Sequence, residues 1–323
     1  MTVTDTKLEQ DWQRLRDAAE RCKNWGKWGP DDQAGTVNYI TAEMIRNAAG
    51  LVRDGRVISL SIDYGESGPQ SGHLRRFNPM SFMMRDGDDA YARALAGTPQ
   101  GIGAADDILI MAAQGATHWD ALGHMFFDSK MWNGYDARLV SSMGAEKNDI
   151  SNYRDRIVGR AVLLDLPRFH GVQWLEPGRS VSGHELQACA DAQGVAVGTG
   201  DILLIRFGQL TQVRTEGSWG GYAGGDAPGL AFDTLDWLFH KEIAGIGVDT
   251  WGAEVRPNDV SAVNQPWHRV ALPSIGLLVG EIFDLDGLAE DCAADGRYEF
   301  FFSASPLPVI GSVGGPINPV VVK

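Results

Sequence analysis

An α/β fold with a mixed sheet is the architecture that this chain of 323 residues predicts, on three observations. The runs RAVLLDLP, DILLIRFG and EIAGIGVD are apolar through their middles, which is the composition of strands buried on both faces. Helical patterns alternate with these runs, and such alternation builds layered α/β domains. Hydrophobic residues make up 44% of the chain, and no internal repeat or charged linker divides it. The expected organisation is an N-terminal helical arm over residues 1–24 and one domain over 25–323.

Taken in order, Leu8, Trp12, Leu15, Ala19 and Cys22 recur every three or four residues and give one apolar helix face. That face must cover either the body of its own chain or a partner subunit. The Gly/Pro-rich stretch WGKWGPDDQAG breaks the pattern. Thr41 is placed to cap a helix that Asp54-Gly55 would stop, after which RVISLSI reads as a strand. From about residue 64 to 105 no period is sustained, as in binding loops and lids. DDILIMAAQ, residues 106–114, reads as a strand. Ser182-Gly183-His184-Glu185 fits a capping box for a helix that Gly194 would end. A further helix is expected over Phe232 to Lys241, ahead of the strand that ends at Asp249.

Charge and cysteine content narrow the partners. With 42 acidic against 28 basic residues and a net charge of -14, the chain repels polyanions, which excludes nucleic acid as an expected partner. Cys22, Cys189 and Cys292 are too few and too far apart for a disulfide framework or a cysteine zinc site. The opening MTVTDTKLEQ has no apolar core of the secretory kind, and no run approaches the length that spans a bilayer. A cytoplasmic protein without a membrane partner is therefore expected.

The stretch QGATHWDALGH, residues 114–124, concentrates polar groups with ligand chemistry. If the strand beginning near Asp106 continues, Gln114, His118 and Asp120 point to the same side. Amide oxygen, imidazole nitrogen and carboxylate oxygen can all bind a divalent ion of the zinc or manganese class. Three ligands leave positions open for water and substrate, as catalysis requires. A surface loop or a satisfied hydrogen-bond network is the competing account, and spacing alone does not remove it.

This motif resembles the H-x-G-T-H-x-D-x-P-x-H signature of the cyclase family, the metal-dependent hydrolases that include bacterial kynurenine formamidase and isatin hydrolase. WGPDDQAGTVN, GDILLIRFG, APGL, GVDT and HRVALPSIGLLVGEIFDLDGL also resemble family segments, in family order, from about Trp25 onward. The resemblance implies a swivelling β/β/α-type single domain, assembled as a homodimer or homotetramer. It implies that His118 and Asp120 are metal ligands, that His124 moves a proton, and that His268 and Glu281 hold a second ion. Gln114 stands where the family has its first histidine, Ala116 where it has glycine, and Leu122 where it has proline. An amide oxygen is a harder and weaker ligand than imidazole, which favours manganese over zinc.

The activity so implied is hydrolysis of a small amide, cyclic or aryl. Water activated at the ion attacks the carbonyl, assisted by Asp120, while His124 carries a proton to the departing nitrogen. A lyase or cyclase acting through an enolate, and a metal-binding protein without turnover, remain the alternatives. Phe77, Trp119 and Trp132 are the candidate substrate contacts, since aromatic walls suit a flat or bicyclic substrate. Strand alternation turns Trp119 away from His118 and Asp120, so ordinary packing is an equal account of it. His73 reads as a surface residue, and His170, His184 and His240 as structural. Arg75 and Arg76 offer planar forks to a substrate carboxylate, although a solvated pair is the simpler account.

Overall fold

The apolar runs of the sequence lie at the centre of one sheet, where both of their faces can be covered. The computed structural model describes residues 3–93 and 97–323. The sheet contains β1 (Val57–Ser59), β2 (His118–Asp120), β3 (Val158–Asp165), β4 (Ile202–Arg206), β5 (Gly245–Val248), β6 (Leu278–Glu281), β7 (Glu299–Ser303), β8 (Gly314–Pro316) and β9 (Val320–Val322). Its spatial order is β1-β9-β7-β3-β4-β5-β6-β2-β8. The four central strands β3 to β6 are mutually parallel, and all other pairings are antiparallel. The result is the mixed α/β domain that the interleaved pattern predicts.

Alternation along the central strands divides the core. Val162, Leu164, Leu203, Ile205, Ile246 and Val248 enter one apolar cluster, while Ala161, Leu163, Ile202 and Leu204 enter the other. The first cluster is closed by the helices Gly183–Ala192 and Thr234–His240 and by the N-terminal helix Val3–Arg21. Leu15, Ala18, Ala19 and Cys22 of that arm are buried, so its apolar face covers its own chain. Asp11 accepts hydrogen bonds from the Ser261 amide at 2.9 Å and its hydroxyl at 2.7 Å, and Arg21 pairs with Asp236 at 2.7 Å. All three cysteines are buried free thiols. Among the described residues, no helix is long and apolar enough to cross a membrane.

Several local expectations change. DDILIMAAQ is a strand only over Asp106–Ile110, and it stays out of the sheet by pairing with Met80–Arg85, inside the stretch read as irregular. Phe82, Met83, Met84, Ile108, Leu109 and Ile110 of this ribbon are exposed. A turn in which the Gly115 amide donates to the Ala112 carbonyl separates this strand from β2, so no continuous strand carries Gln114 to Asp120. Thr41 does cap a helix, accepting from the Met44 amide at 3.2 Å, but the helix is the short Ala42–Ala49. At Ser182 the cap forms as expected, with Oγ accepting from Glu185 N at 3.2 Å. The Glu185 carboxylate does not close the box; it turns to His170 at 2.6 Å and Arg179 at 2.9 Å.

Candidate metal centre

Sheet register assembles the site. β2 lies between β6 and β8, and its antiparallel pairing with β6 sets His118 directly opposite Glu281. Opposed residues share a face with Cβ atoms about 5 Å apart, and Asp120, two residues on, points the same way. The atoms that His118, Asp120 and Glu281 offer lie within 4.8 Å of one another, and all three side chains are buried. His118 Nε2 is 3.4 Å from Asp120 Oδ1 and 3.6 Å from Glu281 Oε2.

The opposite face of β2 is packing. Trp119 is fully buried against Phe283 and Phe302, and its indole N–H donates to the Ala304 carbonyl at 2.8 Å. Its strand partner is Gly280, where a Cβ would lie 2.4 Å from the Trp119 ring; only glycine lets that ring cross β6. Trp119 is thus a core residue, which corrects its expected contact with substrate. Trp132 is corrected for the same reason: it is fully buried over Gly276, and its indole donates to Asp32 Oδ1 at 3.1 Å. Phe77 remains 41% exposed, and its carbonyl backs the turn at Gly115.

Hydrogen bonding prepares His118 as a ligand. Its Nδ1 donates to the Ala116 carbonyl at 2.8 Å, which fixes the tautomer and leaves the Nε2 lone pair facing the two carboxyl groups. Both His118 Nε2 and Asp120 Oδ1 are buried without a hydrogen-bond partner. Orphaned polar atoms in a folded interior are costly and rare. One imidazole nitrogen and two carboxyl oxygens converging at this spacing fit a divalent cation, and they leave coordination positions for other ligands.

Charge around the cluster supports that fit. Burial alone would raise the Asp120 carboxyl, but His124, His118 and Arg76 outweigh it and hold the group below the usual carboxylate range. Burial lowers His124 against the pull of Asp120, so its ring is neutral near pH 7. His124 Nε2 stands 3.8 Å from Asp120 Oδ1, and its Nδ1 is 3.5 Å from the Gln114 side-chain nitrogen. Gln114 reaches that place because residue 314 is glycine; a Cβ there would sit 2.3 Å from the amide nitrogen. The structure therefore brings Gln114 beside His124.

His268 stands behind Glu281. Its Nδ1 is 2.6 Å from Glu254 Oε1 and its Nε2 is 3.0 Å from Glu281 Oε1. Burial disfavours the imidazolium, but these two carboxyl partners prevail and push its pKa up to about 10. Both ring nitrogens face carboxyl oxygens, so neither is directed at the cluster of His118 and Asp120. Glu281, expected beside His268, also joins His118 and Asp120 in the first cluster. Glu254, which the sequence reading missed, also accepts from the Trp267 and His268 amides at 3.1 and 3.2 Å. It follows soon after the GVDT segment, yet no local spacing rule ties it to His268 fourteen residues on.

Residues 58–255 match the model of a family described as a putative cyclase. A solved structure described as a novel cyclase is similar over 94% of this chain and 99% of that one, with 36% identity and a TM-score of 0.85. An isatin hydrolase bound to the product analogue thioisatinate has the same fold at 15% identity, covering 88% of this chain and 99% of that one, TM-score 0.59. Isatin hydrolase A from Ralstonia solanacearum aligns at 17% identity over 87% of this chain and 97% of that one, TM-score 0.62. No curated protein matches.

Proposed function

The chain belongs to the cyclase family, and on that premise we propose that it is a metal-dependent hydrolase of a small cyclic or aryl amide. His118, Asp120 and Glu281 hold the divalent ion, manganese or zinc, with the Gln114 amide at its flank. One observation carries this reading: His118 Nε2 and Asp120 Oδ1 are buried, unpartnered and turned toward each other and Glu281. The resemblance of the fold to isatin hydrolases supports an imide or lactam as substrate.

When bound, the ion supplies Lewis acidity, which activates water and polarises a carbonyl. The residues do the rest. The Ala116 carbonyl fixes the His118 tautomer, and Glu254 through His268 fixes the Glu281 carboxyl, so the ligand atoms are oriented before any ion arrives. The neutral His124 ring takes up a proton, and Asp120, 3.8 Å from its Nε2, stabilises the imidazolium so formed. His124 then delivers that proton to the departing nitrogen. Positioned acid–base groups of this kind contribute roughly a hundredfold to ten-thousandfold in rate.

The same reading makes the active form a cytoplasmic homodimer or homotetramer that takes a small-molecule substrate. The test is a screen of formamides, imides and lactams with protein depleted of metal and then loaded with manganese or zinc, run in 18O-labelled water. The expected result is turnover only after loading, with the label in the product acid. Product that forms without label would transfer the site to lyase chemistry.

A further inference from the structure

One cation near the cluster has no counter-charge. Arg76 is half-buried on the loop ahead of the exposed ribbon, and its Nη1 is buried without a hydrogen-bond partner. Among the described residues no carboxylate pairs with it, in contrast to Arg160, Arg206 and Arg214. Arg160 binds Asp201 and Glu299, Arg206 binds Asp165 and Asp286, and Arg214 binds Asp284 and Asp286. In a chain of net charge -14, a guanidinium left without a carboxylate at this depth requires an explanation.

Its placement supplies one. The guanidinium carbon lies 4.9 Å from the centre of the Trp251 ring, so a cation–π contact holds the plane of the fork. Trp251 is buried; its indole donates to Gln70 Oε1 at 3.2 Å, and Gln70 Nε2 donates to the Gly115 carbonyl at 2.9 Å. Trp251 is thereby fastened to the turn that leads into His118. Two residues after Trp251, the Ala253 amide donates to Glu281 Oε1 at 3.2 Å. Arg76 thus stands on a rigid aromatic base tied to both metal-ligand strands, and its charge is felt at Asp120 and at His124. His73 packs on the same indole, its ring centre 5.2 Å away, and its Nε2 is also buried and unpartnered. Arg75, by contrast, is exposed.

We propose that Arg76 is the receptor for a carboxylate carried by the substrate away from the bond that is cleaved, with His73 as a second donor. The preferred substrates are then anionic, carboxylated amides. A planar fork that is held by stacking and free along one edge matches a carboxylate in two parallel hydrogen bonds. This inference rests on the hydrolase reading for its substrate, but the receptor itself can be tested apart from turnover.

Two measurements test it. Metal-loaded protein is assayed on formanilide and on its 3- and 4-carboxylates, as wild type, Arg76→Gln and Arg75→Gln. Wild type is expected to favour a carboxylate by roughly a hundredfold in kcat/KM, the scale of one buried charge-assisted contact. Arg76→Gln should erase that preference, read within each variant as the ratio of kcat/KM for the carboxylate to that for formanilide, and Arg75→Gln should leave the ratio unchanged. A preference that survives in Arg76→Gln, or none in wild type that turns over formanilide, overturns the proposal.

Should wild type hydrolyse no amide, the hydrolase reading fails and the receptor is judged by binding. Benzoate and the neutral benzamide are titrated into metal-free wild type, Arg76→Gln and Arg76→Lys by ligand-observed NMR. Benzoate affinity should fall at least tenfold in Arg76→Gln and less in Arg76→Lys, with benzamide unaffected and thermal midpoints unchanged. Equal benzoate binding by wild type and Arg76→Gln, or no benzoate binding by wild type, overturns it.

Discussion

Two halves of one buried polar run meet at Glu281 and differ in a single respect. On the Glu254 side every group is matched: His268 is held between two carboxyl groups, and Glu254 also receives two backbone amides. On the His118 side the strongest acceptor atoms, His118 Nε2 and Asp120 Oδ1, have no partner. Both halves are equally buried, so burial does not explain the difference. A network completed by protein alone sets geometry, while one left open at defined atoms awaits a ligand.

The largest effect should come from removing the open half. His118→Ala or Asp120→Ala is expected to abolish uptake of manganese and zinc, read by metal analysis, and turnover with it. Either variant retaining full metal content and rate would dissolve the distinction between the halves. Next, His124→Ala should keep the metal and lose roughly a hundredfold to ten-thousandfold in kcat, because it stands beside the ligand set and not in it. Parallel metal analysis and steady-state kinetics separate those outcomes.

The closed half should yield a smaller, graded loss. Glu254→Gln is expected to weaken metal binding by about 10- to 100-fold, measured by competition with a chelator, as befits a group that orients a ligand. The same half has a pH signature in metal-free protein. His268 has a folded pKa of about 10, above its ordinary value of 6.5, so its stabilisation is full below pH 6.5 and is lost as pH rises through 10. The thermal midpoint of wild type should converge on that of His268→Gln over that interval, and a constant gap would argue against a charged ring.

The smallest effect sharpens the contrast across a single strand. Trp119→Phe leaves the indole's acceptor, the Ala304 carbonyl, unpaired and should cost about 1–3 kcal/mol in chemical denaturation. Its KM should be unchanged, since that side chain faces away from the cluster.

How far the site was readable follows from the range of each signal. His118 and Asp120 share a side by the period of a strand, which holds although the strand is only three residues long. Gln114 was grouped with them by an assumed continuous strand; it reaches the site by a turn and by the missing Cβ of Gly314. Trp119 and Trp132 looked like pocket walls because they flank the motif in sequence, yet the pleat and the Gly280 and Gly276 clefts send them into the core. Glu281 was accessible through family resemblance alone, and Glu254 through nothing local. DDILIMAAQ had the composition of an interior strand but became an exposed ribbon, because strand propensity does not specify which neighbour a strand pairs with.

Sequence by itself determined the alternation of buried strands and helices, the apolar face of the arm, and the chemical types gathered at residues 114–124. These follow from periodicity and side-chain chemistry, which act over a few residues. Tertiary structure alone decided that β2 pairs with β6 in the register that opposes His118 and Glu281, that His268 props Glu281, and that Arg76 finds no carboxylate. Those outcomes depend on contacts between segments far apart in the chain, where a shift of one residue in register would turn the ligands to the opposite face.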